Sequence, residues 1–115
     1  MKVDWAYMRK GWASCAKAQE VLESEKMSVA ETVDARKEKI GEDAAWQMFQ
    51  KYPTLIIGRG KKYAEFKPVA KNREAIMKAA LGRTGNLRAP VIDMGEKLII
   101  GFNQDMYTKF VKTTG

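Results

Sequence analysis

The chain has no histidine and only one cysteine among its 115 residues. Without histidine, serine-triad, papain-type and most zinc chemistries lose an essential group. No set of acids at metal-ligand spacing stands in for it, so no metal is expected. A lone cysteine, Cys15, cannot close an internal disulfide, which excludes a stapled secreted scaffold. No uncharged stretch approaches the roughly 20 residues of a membrane-spanning helix, so no membrane role is expected. Asp4 and Arg9 fall where the apolar part of an export signal would lie. A reducing cytoplasm is therefore the expected home, and the length suits one domain spanning 1–115.

What is present is an ordinary globular mixture, 45% hydrophobic and 30% charged, with a net charge of +7. The excess is local. Nine bases and two acids lie between Arg59 and Arg88, and the remainder of the chain is balanced. Such a stretch attracts anionic partners. A solvated face, an anionic substrate or acidic partner, and nucleic acid are the three readings. No nucleic-acid motif accompanies the bases, so direct nucleic-acid binding is not expected.

Periodicity divides the chain into elements. Val3 to Met8 reads as a strand with Val3, Trp5 and Tyr7 on one side. Ala13 to Lys26 reads as a helix burying Ala18, Val21 and Leu22, followed by Met27. Ser28 to Val33 suits a second strand, and Asp34 to Lys39 an exposed connection. Gly41, Glu42 and Asp43 open a helix with acids at the positive end of its dipole, and Pro53 ends that run. Thr54 to Ile57 and Lys62 to Phe66 form a candidate hairpin around Gly58 and Gly60. Asn72 to Leu81 is a third helix ended by Gly82. Val91 to Met94 and Lys97 to Ile100 form a second hairpin about Gly95. Asn103 caps a closing helix with Met106, Tyr107, Phe110 and Val111 inward. The order β-α-β, helical material, β-β-α predicts an α/β fold in which the first two strands run parallel.

That order, with Cys15 at the first strand-to-helix junction and Pro90 opening a late strand, resembles a thioredoxin fold. The run Gly82-Arg83-Thr84-Gly85-Asn86-Leu87-Arg88-Ala89-Pro90-Val91 is similar to the ArsC/Spx family of glutaredoxin-coupled arsenate reductases and Spx-type regulators. So are Ile100-Gly101-Phe102-Asn103 and Ser14-Cys15-Ala16-Lys17-Ala18. The resemblance implies a thioredoxin-like α/β fold. A central mixed sheet would be flanked by helices, with a helical and hairpin insertion before a strand opened by a cis Ala89–Pro90 bond.

The resemblance also implies a site. Redox members act through a cysteine at the start of the first helix, where the dipole and free amides stabilise a thiolate; a second cysteine three residues on resolves the mixed disulfide. Here Cys15 falls on the second position and Trp12 on the first, the family's nucleophile. An indole is not a nucleophile of that kind. Cys15 is then a small buried residue, a lone reactive thiol, or half of a selenol–thiol pair. In the last case Trp12 stands for selenocysteine, since misreading of UGA inserts tryptophan and some thioredoxin-like relatives resemble this loop with selenocysteine there.

Arsenate itself fits poorly. The arginine before the proline is replaced by Ala89, and that at the strand-to-helix corner by Gly101. Ser14, Arg83, Arg88, Ala89 and Pro90 are the expected substrate-binding residues, with Arg83 and Arg88 holding carboxylates. Trp12, Ser14 and Cys15 should meet Arg88, Ala89 and Pro90 in space. The resemblance implies a cytoplasmic thiol-disulfide oxidoreductase-like protein. It would be linked to glutathione as co-substrate, or to a thioredoxin- or glutaredoxin-type protein, with no bound cofactor. The alternative is an Spx-like adaptor that binds RNA polymerase without turnover, so whether the chain is an enzyme stays open. Lys17 reads as a solvated helical base. Gly58-Arg59-Gly60-Lys61-Lys62 lacks the spacing of a nucleotide-binding loop.

Overall fold

The computed structural model describes residues 2–111, with only the backbone of Lys2; Met1 and 112–115, part of the expected domain range, lie outside. Strand β1 (Lys2–Val3) and β2 (Trp5–Met8) lead into helix α1 (Ala13–Ser24), then β3 (Ser28–Val29) and β4 (Thr32–Asp34). Helix α2 (Glu42–Phe49) precedes β5 (Thr54–Arg59) and β6 (Lys62–Phe66). A 3-10 turn at Ala70–Asn72 runs into α3 (Arg73–Ala80), followed by β7 (Val91–Asp93), β8 (Lys97–Ile100) and α4 (Gln104–Phe110). The result is an α/β architecture around a six-stranded mixed sheet, in the order β4-β2-β7-β8-β5-β6. No helix among the described residues is long and apolar enough to cross a membrane.

Period-2 alternation explains the layers, because successive strand side chains point to opposite faces. Tyr7, Leu55, Ile57, Val91, Leu98 and Ile100 pack on one face with Ala45 and Phe49 of α2 and Ile76 and Ala80 of α3. Ala6, Ile56, Ile92 and Ile99 pack on the other with Ala18 and Leu22 of α1 and Met106 and Tyr107 of α4. Leu55, Ile56, Leu98, Ile99 and Ile100 are buried, each contributing about 1.5–3 kcal/mol through removal of apolar surface from water.

The β2–β4 pairing is parallel, and the β7–β8 hairpin is antiparallel, as expected. β2 and β7 share the sheet, with Ala6 opposite Ile92 and Tyr7 opposite Val91. The Ala89–Pro90 peptide is cis. Asn103 caps α4, its side chain accepting from the Met106 amide at 2.9 Å.

Four expectations need correction. The first strand is interrupted at Asp4, whose amide donates to the Asp93 carbonyl at 3.1 Å. The break turns Val3 to the α1/α4 face, whereas Trp5 and Tyr7 stay together on the other, stacked at 5.5 Å. The second strand is split as well, at Ala30 and Glu31. α3 stops at an extended Leu81 rather than at a left-handed Gly82, because Gly82 is held in the next loop by the Asn86 carbonyl at 2.8 Å. Finally, the β5–β6 hairpin is not separate from the sheet. β5 runs parallel to β8, with Leu55 opposite Leu98 and Ile56 opposite Ile99.

Candidate functional site

β2 ends at Met8, and a turn with Gly11 at φ +93° swings the chain into α1. Trp12 is the N-cap in extended conformation, with no side-chain cap bond, and its carbonyl accepts from the Ala16 amide at 3.0 Å. Its indole is 43% exposed, with the Arg9 guanidinium 4.4 Å from the ring centroid. The position expected to hold the nucleophile is thus open to solvent.

Cys15 is different. It is only 5% exposed, packed in the α2/α3-side cluster with Tyr7, Ala35, Ala89 and Val91. The Arg9 amide donates to its Sγ at 3.3 Å. Burial pushes the thiol above its ordinary value, with the Arg9 amide and charge pulling less strongly the other way. A thiolate stabilised by the helix N-terminus, the expected state of a reactive cysteine here, is therefore not favoured; desolvation outweighs the donors.

Arg88 reaches inward. Its Nη2 donates to the Gly58 carbonyl at 3.0 Å, and its buried Nε has no hydrogen-bond partner among the described residues. Burial, then the neighbouring Arg59 guanidinium, pull it below its ordinary value. The corner residue Gly101 has φ +81°, and a Cβ there would collide with the Gly58 carbonyl oxygen and lie 3.1 Å from Arg88 Nη2. No larger residue fits at that corner without displacing the Arg88 side chain or β5.

The expected convergence holds for part of the set. Trp12, Arg83, Arg88 and Ala89 line one cleft of about 730 Å³. Cys15 and Trp12 share an adjoining, mostly apolar cavity of about 660 Å³ that reaches edge strand β4 at Thr32, Val33 and Asp34. Ser14 lines neither; it faces a third cavity beside Lys17, Phe102 and Asn103. Consecutive helical residues diverge by about 100° around the axis, so Ser14 and Cys15 point to different sides of α1. Pro90 lines none of the three cavities, and its carbonyl accepts from the Gly101 amide at 2.7 Å.

Four further bases enter the large cleft: Arg9, Lys39, Arg59 and Lys78. Arg59 and Lys78 belong to the basic stretch visible in the sequence, and nothing local singles them out from its other members. Arg9 and Lys39 lie outside it and arrive through the ends of β2 and of the loop after β4. Comparison with protein-family models and with curated proteins gives no match to this chain.

Proposed function

We propose that the chain is a thioredoxin-like domain of the ArsC/Spx type, acting as a glutathione- or thioredoxin-linked thiol- or selenol-disulfide oxidoreductase that does not use arsenate. The observation that carries this reading is the exposed Trp12 position at the start of α1, lining one cleft with Arg83, Arg88 and Ala89, with Cys15 three residues on. The run β4-β2-β7-β8, with α1 crossing between parallel β2 and β4, supports the fold assignment.

The chemistry needs a chalcogen at position 12. Its anion attacks a substrate disulfide: a bond forms to one sulfur, the S–S bond breaks, and the other sulfur leaves and takes up a proton as a thiol. Deprotonated Cys15 then attacks the mixed species, closing an internal bond and releasing the second thiol. Two electrons have passed to the substrate, and two glutathione thiols return them as glutathione disulfide. The chain carrying Trp12 lacks the first step. Cys15 is too buried to replace it, and suits the resolving role.

A glutathione-coupled assay on a small aliphatic disulfide tests this. The chain as written is expected at background and Trp12→Cys above it; with glutathione withheld, Trp12→Cys/Cys15→Ser is expected to stop as a mixed disulfide that added glutathione then releases. A folded Trp12→Cys variant at background overturns the oxidoreductase reading and favours the Spx-like adaptor, for which capture of an RNA polymerase subunit is the direct test. A UGG codon at position 12 makes the tryptophan genuine and overturns the oxidoreductase reading for this chain, because Cys15 does not supply the first step.

A further inference from the structure

We infer that the cleft between α1, the end of α3 and the loop before β7 is a binding site for a linear run of phosphate groups, carried by a nucleotide or as inorganic polyphosphate. Six bases line it, Arg9, Lys39, Arg59, Lys78, Arg83 and Arg88, and no aspartate or glutamate does. Among the described residues none of the six is ion-paired, whereas Arg36 pairs with Asp34, and Arg73 with Glu42 and Asp43. Many described bases elsewhere on the surface are unpaired too; what sets this cleft apart is that six of them gather around one concavity with no acid on its lining.

The innermost base makes the case sharper. Arg88 is anchored by one nitrogen on the Gly58 carbonyl while its buried Nε has no partner, and Arg59 disfavours its charge. Like charges held together without compensation are costly, and an anion accepting from both guanidiniums relieves that cost. The volume of about 730 Å³ is far more than a single oxyanion fills and falls in the range of roughly 300–1,000 Å³ typical of organic ligands.

The number of bases selects the ligand class. A dicarboxylate such as glutathione neutralises two of the six, leaving most of the repulsion in place. A chain of three phosphates carries about four charges at neutral pH and offers acceptor oxygens along its length for several guanidinium forks. Trp12, 43% exposed and lining the same cleft, provides an apolar surface for an organic group beyond the phosphates. This inference goes beyond the redox reading and does not rest on it, because binding is measured without turnover.

Titration calorimetry of the chain with tripolyphosphate, ATP, orthophosphate and a hexaglutamate peptide tests it. Tripolyphosphate is expected to bind at least about tenfold tighter than orthophosphate, since each further charge-assisted bond is worth roughly that factor. Tighter binding of ATP identifies a nucleotide source, and tighter binding of tripolyphosphate an inorganic one; both support the site. Lys78 and Arg83 are exposed, so Lys78→Gln/Arg83→Gln retains the fold and weakens binding by about tenfold or more. Lys51→Gln/Lys71→Gln, which removes the same charge outside the cleft, leaves it unchanged. Equal weakening by the two pairs, no tripolyphosphate binding, or tighter binding of hexaglutamate overturns the proposal.

Discussion

Cys15 joins two opposing influences at one atom. The first turn of α1 and the Arg9 amide at 3.3 Å favour a thiolate, and burial at 5% exposure opposes it. Burial is the larger influence and the thiol is pushed upward. Reaction with a neutral disulfide reagent near pH 8 is therefore expected to be at least about tenfold slower than for a free thiol, whose ordinary value is near 8.5. Denaturant should restore the full rate. Free-thiol kinetics in the native protein would mean that the sulfur is open and its thiolate populated. The side chains of this site were legible unevenly. Trp12, Arg83, Arg88 and Ala89 share a cleft, as their sequence context leads one to expect. Ser14 lines a different cavity, because a motif read as a string ignores the rotation between consecutive helical residues. Arg9 and Lys39 carry no mark at all; only the turns after β2 and β4 bring them to the cleft.

At the scale of elements, α4 shows how far a short-range signal reaches. Asn103 was readable as an N-cap from its place before an apolar repeat. The structure adds a second role: its Nδ2 donates to the Gly60 carbonyl at 2.9 Å, tying the helix to the β5–β6 turn. That tie depends on close approach, since a Cβ at Gly58 would lie 2.8 Å from Met106 Cε and 3.0 Å from Asn103 Cβ. Asn103→Ala should cost about 2 kcal/mol, roughly half from the cap and half from the abandoned Gly60 carbonyl. Asn103→Ser, which keeps a capping oxygen but not the donor, should cost about half as much. Urea unfolding of the three proteins measures both steps; equal stability of the alanine and serine variants would assign the whole effect to the lost tie. The pairing of β5 with β8 was not legible. Its apolar run announces a strand, but a parallel partner more than forty residues away leaves no local trace.

Across the whole molecule, several weak acids are held by burial in their neutral form. Tyr7, Cys15 and Tyr52 are raised above their ordinary values, with burial the leading cause in each, and so is Tyr107. The folded protein therefore keeps protons that the unfolded chain gives up above pH 9 to 10. In that window the native state binds more protons, so stability is fully present below the unfolded values and falls as pH rises. Tyr107 matters most, being 0% exposed, with a hydroxyl that has no hydrogen-bond partner among the described residues and lies within the field of Cys15. Its share of the loss is about 1.4 kcal/mol per pH unit above its unfolded value near 10. Tyr107→Phe removes that titration and an unsatisfied polar group together, while keeping the ring against Phe102 at 4.6 Å. At pH 7 the variant should be as stable as the parent or slightly more so, because an orphaned hydroxyl contributes desolvation cost without a bond. Between pH 10 and 11.5 its stability should fall less steeply than the parent's. Urea midpoints across that range decide the matter: parallel curves would place the alkaline sensitivity on Tyr7, Tyr52 and Cys15, and a destabilised variant at pH 7 would mean that the hydroxyl is bonded after all.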